Sequence, residues 1–527
     1  MNFLMMLKPL FLQPRQTLLH GYSYDAFWRR NIVLFAAIYA LILMAIGVAF
    51  ATYGTNILMP VAGILSVLVL LIVWVLPESS DPPLRKMKGL FFGFLVALLI
   101  WPDYLALDLP GLPWITAIRI FAVPMAFLFL ISLSVSTMFR KKMVDLIQPT
   151  VVTSIFIIIF ALTCVLSIFY STSPGQSSNS VVLVLLNWVV VFFVSMWVFA
   201  DIRNIKIFAY AIWSSAVVTS VIAIREWQIQ GVPWAGHIPS FLAVDDPIIQ
   251  VILSAKARST TGIYRVQSKF GTPLAFAEFS AFAAPFVLYF AVFGKSLFIR
   301  FLAVSTMPLI FLSIVRTDSR LGATGFFLTF LLFLIAWGVS RWLRRRESIF
   351  GPAITLAYPA IFVGFLISTF VVGRLRNMVW GTKAQSFSSQ AREVQWEGGI
   401  PKILSHPWGY GMGQGGSVLG FRNPAGVLTI DSHYLAVLLE VGIFGFLFYA
   451  IIFLSVVVYG SFALFKAKTV DDFLIIPCLI LVSIFIVEKA VFAQLENHPL
   501  VYATLGAICA LVYRLNGSDR KAIYNAN

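Results

Sequence analysis

Asp431 and His433 stand where a long polar connection runs into an apolar stretch, in the segment Asp431-Ser-His-Tyr-Leu-Ala-Val-Leu-Leu-Glu-Val-Gly-Ile-Phe-Gly445. Ionisable groups at the end of a membrane span are expensive to keep there and usually do chemistry. A carboxyl of raised pKa or a free imidazole is what takes a proton from an attacking hydroxyl. The two side chains would point about 200° apart on one regular helix, so both reach one substrate only if the helix begins after Asp431. Asp431-Ser432 also reads as a helix N-cap pair. Glu440, seven residues beyond His433, falls on the same helix face and reads better as an anchor for a neighbouring helix.

Cations suited to phosphate lie in two further places. The stretch from Lys256 to Lys269 carries Lys256, Arg258, Arg265 and Lys269 and no acid; it suits a phosphate-rich ligand or, equally, lipid headgroups. Arg316-Thr-Asp-Ser-Arg-Leu-Gly-Ala-Thr-Gly325 interrupts two apolar runs, which puts Arg316, Asp318 and Arg320 at a sharp turn near the membrane face. Small residues follow Arg320 and let a second helix approach, so its guanidinium points into the protein, towards a ligand or into a salt bridge with Asp318. Another long segment adds Arg374, Arg376, Lys383, Arg392, Lys402 and Arg422 against Glu393 and Glu397, and includes His406-Pro-Trp-Gly-Tyr-Gly-Met-Gly-Gln-Gly-Gly416. Its glycines allow backbone to approach a ligand closely or simply make a turn, and without a preceding strand the run is no dinucleotide fingerprint. Neither long segment contains an Asp-x-Asp element, and permanent guanidinium charge holds phosphate without a metal.

The elements that position these groups follow from composition. Of 527 residues 60% are hydrophobic and 11% charged, with 49 Phe, which no water-soluble surface accommodates. The chain reads as an all-α, polytopic integral membrane protein. Apolar stretches of about 20 residues, enough to cross a bilayer, fall near 31–52, 57–77, 89–107, 114–136, 149–170, 180–200, 206–226, 272–294, 297–315, 321–340, 350–372, 433–460, 473–491 and 499–513. That makes about fourteen transmembrane helices.

Alternate connections are basic: Lys8/Arg15/Arg29/Arg30, Arg85/Lys86/Lys88, Arg140/Lys141/Lys142, Arg203/Lys206, Lys295/Arg300, Arg341 with Arg344 to Arg346, Lys466/Lys468, and Arg514/Arg520/Lys521. Basic short loops stay cytoplasmic, so both termini are expected there. They take 23 of the 38 Lys and Arg, leaving 15 on the outer side or within spans, more than topology requires. Most of the +16 charge is thus a topological signal, and nucleic-acid binding is not expected. Residues 3 to 12 suit an interfacial helix, and with no small-residue cleavage pattern ahead of the first apolar run, a retained first helix is expected. Cys164, Cys478 and Cys509 lie in spans without metal spacing, so neither disulfides nor zinc are expected. Glu488 and Lys489 sit near a span end where snorkelling is easy, and His20, His237 and His498 show no companions for a metal or catalytic set.

Four pieces together resemble the O-antigen ligase and Wzy-type polysaccharide polymerase superfamily of bacterial inner-membrane glycosyltransferases. They are Arg258 onward to Gly271-Thr-Pro-Leu-Ala-Phe-Ala-Glu278; Thr317-Asp-Ser-Arg-Leu-Gly-Ala323; Trp396 through His406-Pro-Trp-Gly-Tyr-Gly-Met-Gly413; and the 431–445 segment. They cover roughly residues 225–450 in the family's order. The resemblance implies a GT-C-like, O-antigen ligase-like bundle: helices in 1–226, a first large periplasmic loop at 227–271, helices in 272–372, a second large periplasmic loop at 373–431, and helices with a cytoplasmic tail in 432–527. The two loops would cover a cavity open sideways to lipid.

It implies transfer of glycan from an undecaprenyl-diphosphate-linked donor to a glycan acceptor, among membrane lipids and with flippase and chain-length regulator proteins as partners, and no cofactor. Arg258, Arg265, Arg320 and Arg392 would hold diphosphate, with Asp431 or His433 as the base. In the ligases the last piece usually begins with His-Asn eleven residues before the first glycine of Gly-x-x-Gly; counting back from Gly442 reaches Asp431. This departure tilts the reading from ligase towards polymerase. A lipid-linked oligosaccharide flippase would show internal repeats and broken helices near mid-membrane, whereas no convincing repeat is present and the polar groups cluster at one face.

Overall fold

In the computed structural model, residues 69, 71–74, 76–79, 81–108, 114–254, 262–344, 347, 349–373, 376, 386–422 and 426–524 are described. The first expected span, most of the second, and the cations Lys256, Arg258, Arg374 and Lys383 lie outside them.

The helices are α1 (Leu84–Ile100), α2 (Ala117–Val135), α3 (Thr137–Ile147), α4 (Val151–Leu166), α5 (Pro174–Val184), α6 (Val191–Val198), α7 (Ile202–Ile229), α8 (Pro247–Ser254), α9 (Pro273–Phe293), α10 (Leu297–Arg316), α11 (Arg320–Arg344), α12 (Phe350–Val371), α13 (Ser386–Ser405), α14 (Gly415–Leu419), α15 (His433–Leu464), α16 (Ile475–Glu488) and α17 (His498–Tyr524). A π-turn at Leu185–Val190 joins α5 to α6. Among the described residues, strands are confined to one antiparallel pair between α1 and α2, with Ala106 opposite Thr116. Ten helical stretches among the described residues are long and apolar enough to cross a membrane, and α1 and α16 coincide with two more of the expected spans. The all-α polytopic expectation holds.

Two spans form the centre: α9 and α17 each have 78% of their apolar window buried, whereas α12 has 6% and lies at the edge. In lipid the apolar effect does not favour helix pairing, so close backbone approach and polar contacts must. Gly322 of α11 faces Ala277 of α9, where an added Cβ would stand 2.7 Å from the Ala277 methyl. Gly325 faces Ala281 and Glu488, a Cβ there falling 2.5 Å from a Glu488 oxygen. The small residues after Arg320 thus make the seam expected of them.

Four of the basic connections gather at one end of the bundle. There Lys206 pairs with Asp471 at 2.6 Å and Arg514 with Asp472 at 3.3 Å, while Lys142 reaches Tyr513 and Lys466 reaches Asn516. The residues singled out for chemistry lie at the other end, where α9, α11, α15 and α17 all begin. Polar caps start three of them: Thr272 accepts the Ala275 N–H, Ser319 the Gly322 N–H, and Ser432 the Leu435 N–H. A cap satisfies one of the donors that a helix start leaves free.

Candidate active site

Residues 264–268 cross this end of the bundle beside the α10–α11 turn. Val266 donates its N–H to the Arg316 carbonyl at 3.2 Å, and Arg265 Nε donates to the Thr317 carbonyl at 2.7 Å. The Arg316 guanidinium lies over the Trp227 ring at 3.8 Å, a cation–π contact, and its buried Nε has no hydrogen-bond partner among the described residues. Asp318 adopts the left-handed region at φ 50°, which turns the chain sharply so that Arg320 opens α11. Arg265 is thereby held against the turn that carries Arg316 and opens into α11 at Arg320.

Asp431 sits just outside α15, whose first residue is His433 and whose cap is Ser432. The helix thus starts after Asp431, the condition that frees it from the helical phase of His433. Its carboxylate accepts from Gln395 Nε2 at 3.1 Å while its own N–H goes to Gln395 Oε1 at 2.9 Å. This two-point contact docks α13 on the start of α15. Burial raises the Asp431 carboxyl above its ordinary range, an effect that the Gln395 hydrogen bond and then Arg392 partly offset. The same burial lowers the Arg392 guanidinium, with Asp431 opposing.

His433 turns the other way, into the bundle. It is 2% exposed; its Nε2 lies 3.0 Å from Tyr449 Oη and 3.2 Å from Nε2 of His498. Trp188 stacks on His498 at 4.7 Å and Phe485 meets it edge-on at 5.1 Å. The sequence reading of His498 as companionless is corrected: its partner is His433, 65 residues away in the chain.

Glu488 and Lys489 are corrected as well. Neither snorkels; both are 0% exposed. Lys489 Nζ pairs with Glu278 at 2.7 Å and donates to the Gln494 carbonyl at 2.6 Å, and the second Glu278 oxygen accepts from Asn497 at 2.9 Å. The Lys489 carbonyl accepts the His433 N–H at 3.1 Å. This chain links the start of α9 to the starts of α15 and α17.

Other cations away from the basic connections are occupied by the fold itself. Arg119, Lys269, Lys402 and Arg422 each donate to a backbone carbonyl, so part of the positive excess that topology leaves over is scaffolding. Burial pushes the Lys269 ammonium down to about 8, with Glu496 and Asp103 opposing, and pushes Glu496 up to about 7.

The glycine run is a joint within the protein. Tyr410 and Gly411 donate their N–H groups to the carbonyls of Leu439 and Glu440, Ile443 donates to that of Pro407, and Gly415 donates to the Glu440 side chain at 3.3 Å. Gly442, at φ 72° and ψ −172°, breaks α15 at this contact, and any side chain there would strike the Pro407 carbonyl. The structural reading of Glu440 and of the glycines agrees with this geometry. A cavity of about 710 Å³ opens beside Tyr170, Thr172 and residues 405–410, and none of the candidate arginines lines it.

Sequence reasoning passed over Glu226 and Asn497. The signal for Glu226 was an acid, buried at the end of a span, that follows a basic residue and precedes a tryptophan.

Compared with known proteins, residues 305–450 match the family model described as O-antigen ligase. The matched segment spans the Arg316–Arg320 turn, the glycine run and the first half of α15, and it agrees with the resemblance carried by the motifs. It supports an O-antigen ligase or polymerase type of function in general and does not separate the two. No curated protein matches the chain.

Proposed function

We propose, from this family match together with the geometry at the outer end of the bundle, that the chain polymerises polyprenyl-diphosphate-linked repeat units into O-antigen, capsule or exopolysaccharide at the periplasmic face of the inner membrane. The observation that carries the reading is the contact between residues 264–268 and the Arg316–Arg320 turn where four helices begin. Helix starts favour negative charge, and arginines add permanent, bidentate phosphate contacts without a metal ion.

In this reading Arg265 and Arg320, with Arg392 and Arg258, hold the donor diphosphate. The acceptor hydroxyl attacks the anomeric carbon, a new glycosidic bond forms, and the bond from that carbon to the diphosphate breaks. The hydroxyl proton passes to Asp431, and the carrier leaves as its diphosphate, neutralised by the arginines. Asp431 is the better base of the two candidates, because His433 is sealed and its Nε2 is already engaged. A carboxylate where the ligases carry histidine supports polymerase over ligase.

The test is purified protein in liposomes with labelled lipid-linked repeats. Lengthening of the repeats is expected, and Arg320→Ala slows it by about 10²-fold, the usual loss for one charge-stabilising donor. Transfer only onto a lipid A core would mark a ligase, and movement across the bilayer without new glycosidic bonds would mark a transporter. Undiminished lengthening by Arg320→Ala would remove the diphosphate role.

A further inference from the structure

We infer that the last turn of α7, Glu226-Trp227, sets the spacing between the two cationic segments, with Glu226 acting as a positioning residue for Arg265; this rests on the diphosphate reading above. Glu226 is 0% exposed and its oxygens are filled by one short stretch of chain. They accept Tyr264 Oη at 2.9 Å, the Gln267 N–H at 3.0 and 3.2 Å and the Ser268 N–H at 2.6 Å. Ser268 lies in the left-handed region at φ 54°, which turns its N–H towards the carboxylate, and its hydroxyl donates to the Thr219 carbonyl, also on α7.

These contacts bracket Arg265 and Val266, the two residues tied to the α10–α11 turn at the Thr317 and Arg316 carbonyls. The adjacent Trp227 carries the Arg316 guanidinium on its ring. One helical turn thus grips the loop through a carboxylate and the facing arginine through an indole. Every group that meets Glu226 is a donor, so an anion with two acceptor oxygens fits where an amide would set N–H against N–H. A buried donor left without an acceptor is costly, so the loop would shift to relieve it and take Arg265 with it.

The test compares wild type, Glu226→Gln, Arg265→Ala and the double variant in the liposome assay, reading kcat and donor KM separately. Glu226→Gln is expected to lower kcat/KM about tenfold, mostly through KM, and by less than about twofold on the Arg265→Ala background, since coupled sites are not additive. Glu226→Asp, which keeps both acceptor oxygens, should retain more activity than Glu226→Gln. Where Glu226→Gln fails to fold, Tyr264→Phe removes a single donor and should show the same non-additivity. Equal losses on both backgrounds would reduce Glu226 to general support of the fold and overturn the inference. Unchanged kinetics of Arg265→Ala alone would instead sink the diphosphate reading, and the positioning role with it.

Discussion

Two sets of charged groups share the same end of the bundle and differ in what surrounds them. The rim set, Arg265, Arg316, Arg392 and Asp431, is half-buried: Arg265 donates to a backbone carbonyl, Arg316 lies on an indole, and Asp431 bonds the Gln395 amide with Arg392 as its opposing charge. The sealed set, Glu278, Lys489, His433 and His498, is buried, with Glu278 paired to Lys489 and His433 facing His498. Charge alone does not separate a ligand site from a structural lock. What separates them here is burial: the rim groups stay partly exposed, while the sealed groups are enclosed by the helices.

If that division is right, rim substitutions remove turnover and sealed substitutions remove the fold. The largest effect falls on Asp431→Asn, expected to cut turnover by about 10²- to 10⁴-fold, the range for loss of a general base. Burial raises this carboxyl, so the fold favours its protonated form. Its contribution to stability is present below the unfolded value and lost as pH rises through the raised one. The working base is the carboxylate, so wild-type turnover falls as pH drops through that raised value. A rate–pH profile of Asp431→Asn should lack this acid limb, while thermal unfolding at neutral pH stays level or rises slightly.

Lys489→Met leaves Glu278 buried without its counter-charge and should cost about 3–5 kcal/mol, as broken buried pairs do. Unfolding in detergent measures it, and adding Glu278→Gln should recover much of the loss. His433→Leu should cost about 1–3 kcal/mol through the polar partners it strands, with near-normal turnover in the folded fraction. A fully stable but inactive His433→Leu would break the comparison and return the histidine to catalysis.

Much of this was legible in the sequence where the cause is local. Span lengths, the alternation of basic loops, the small residues behind Arg320 and the helix start at Asp431-Ser432 are each set within a few residues of chain. Pairings across the fold were not. Glu278 meets Lys489, and His433 meets His498, through the order in which helices pack, and nothing near either residue names its mate. The glycine run had two readings of equal local merit, backbone against ligand or backbone against protein; the kink at Gly442 decides for protein. Arg265 and Arg320 were identified by type, whereas Glu226 was not, because what marks it is the Tyr264, Gln267 and Ser268 donors that come to it from a distant stretch of chain.

The seam of Gly322 and Gly325 against Ala277 and Ala281 leaves no slack for a wedge between α9 and α11. Those helices must travel as one body. On the function proposed above, a polyprenyl tail entering from the bilayer would have to part a looser wall, and α12, with 6% of its apolar window buried, is the loosest span described.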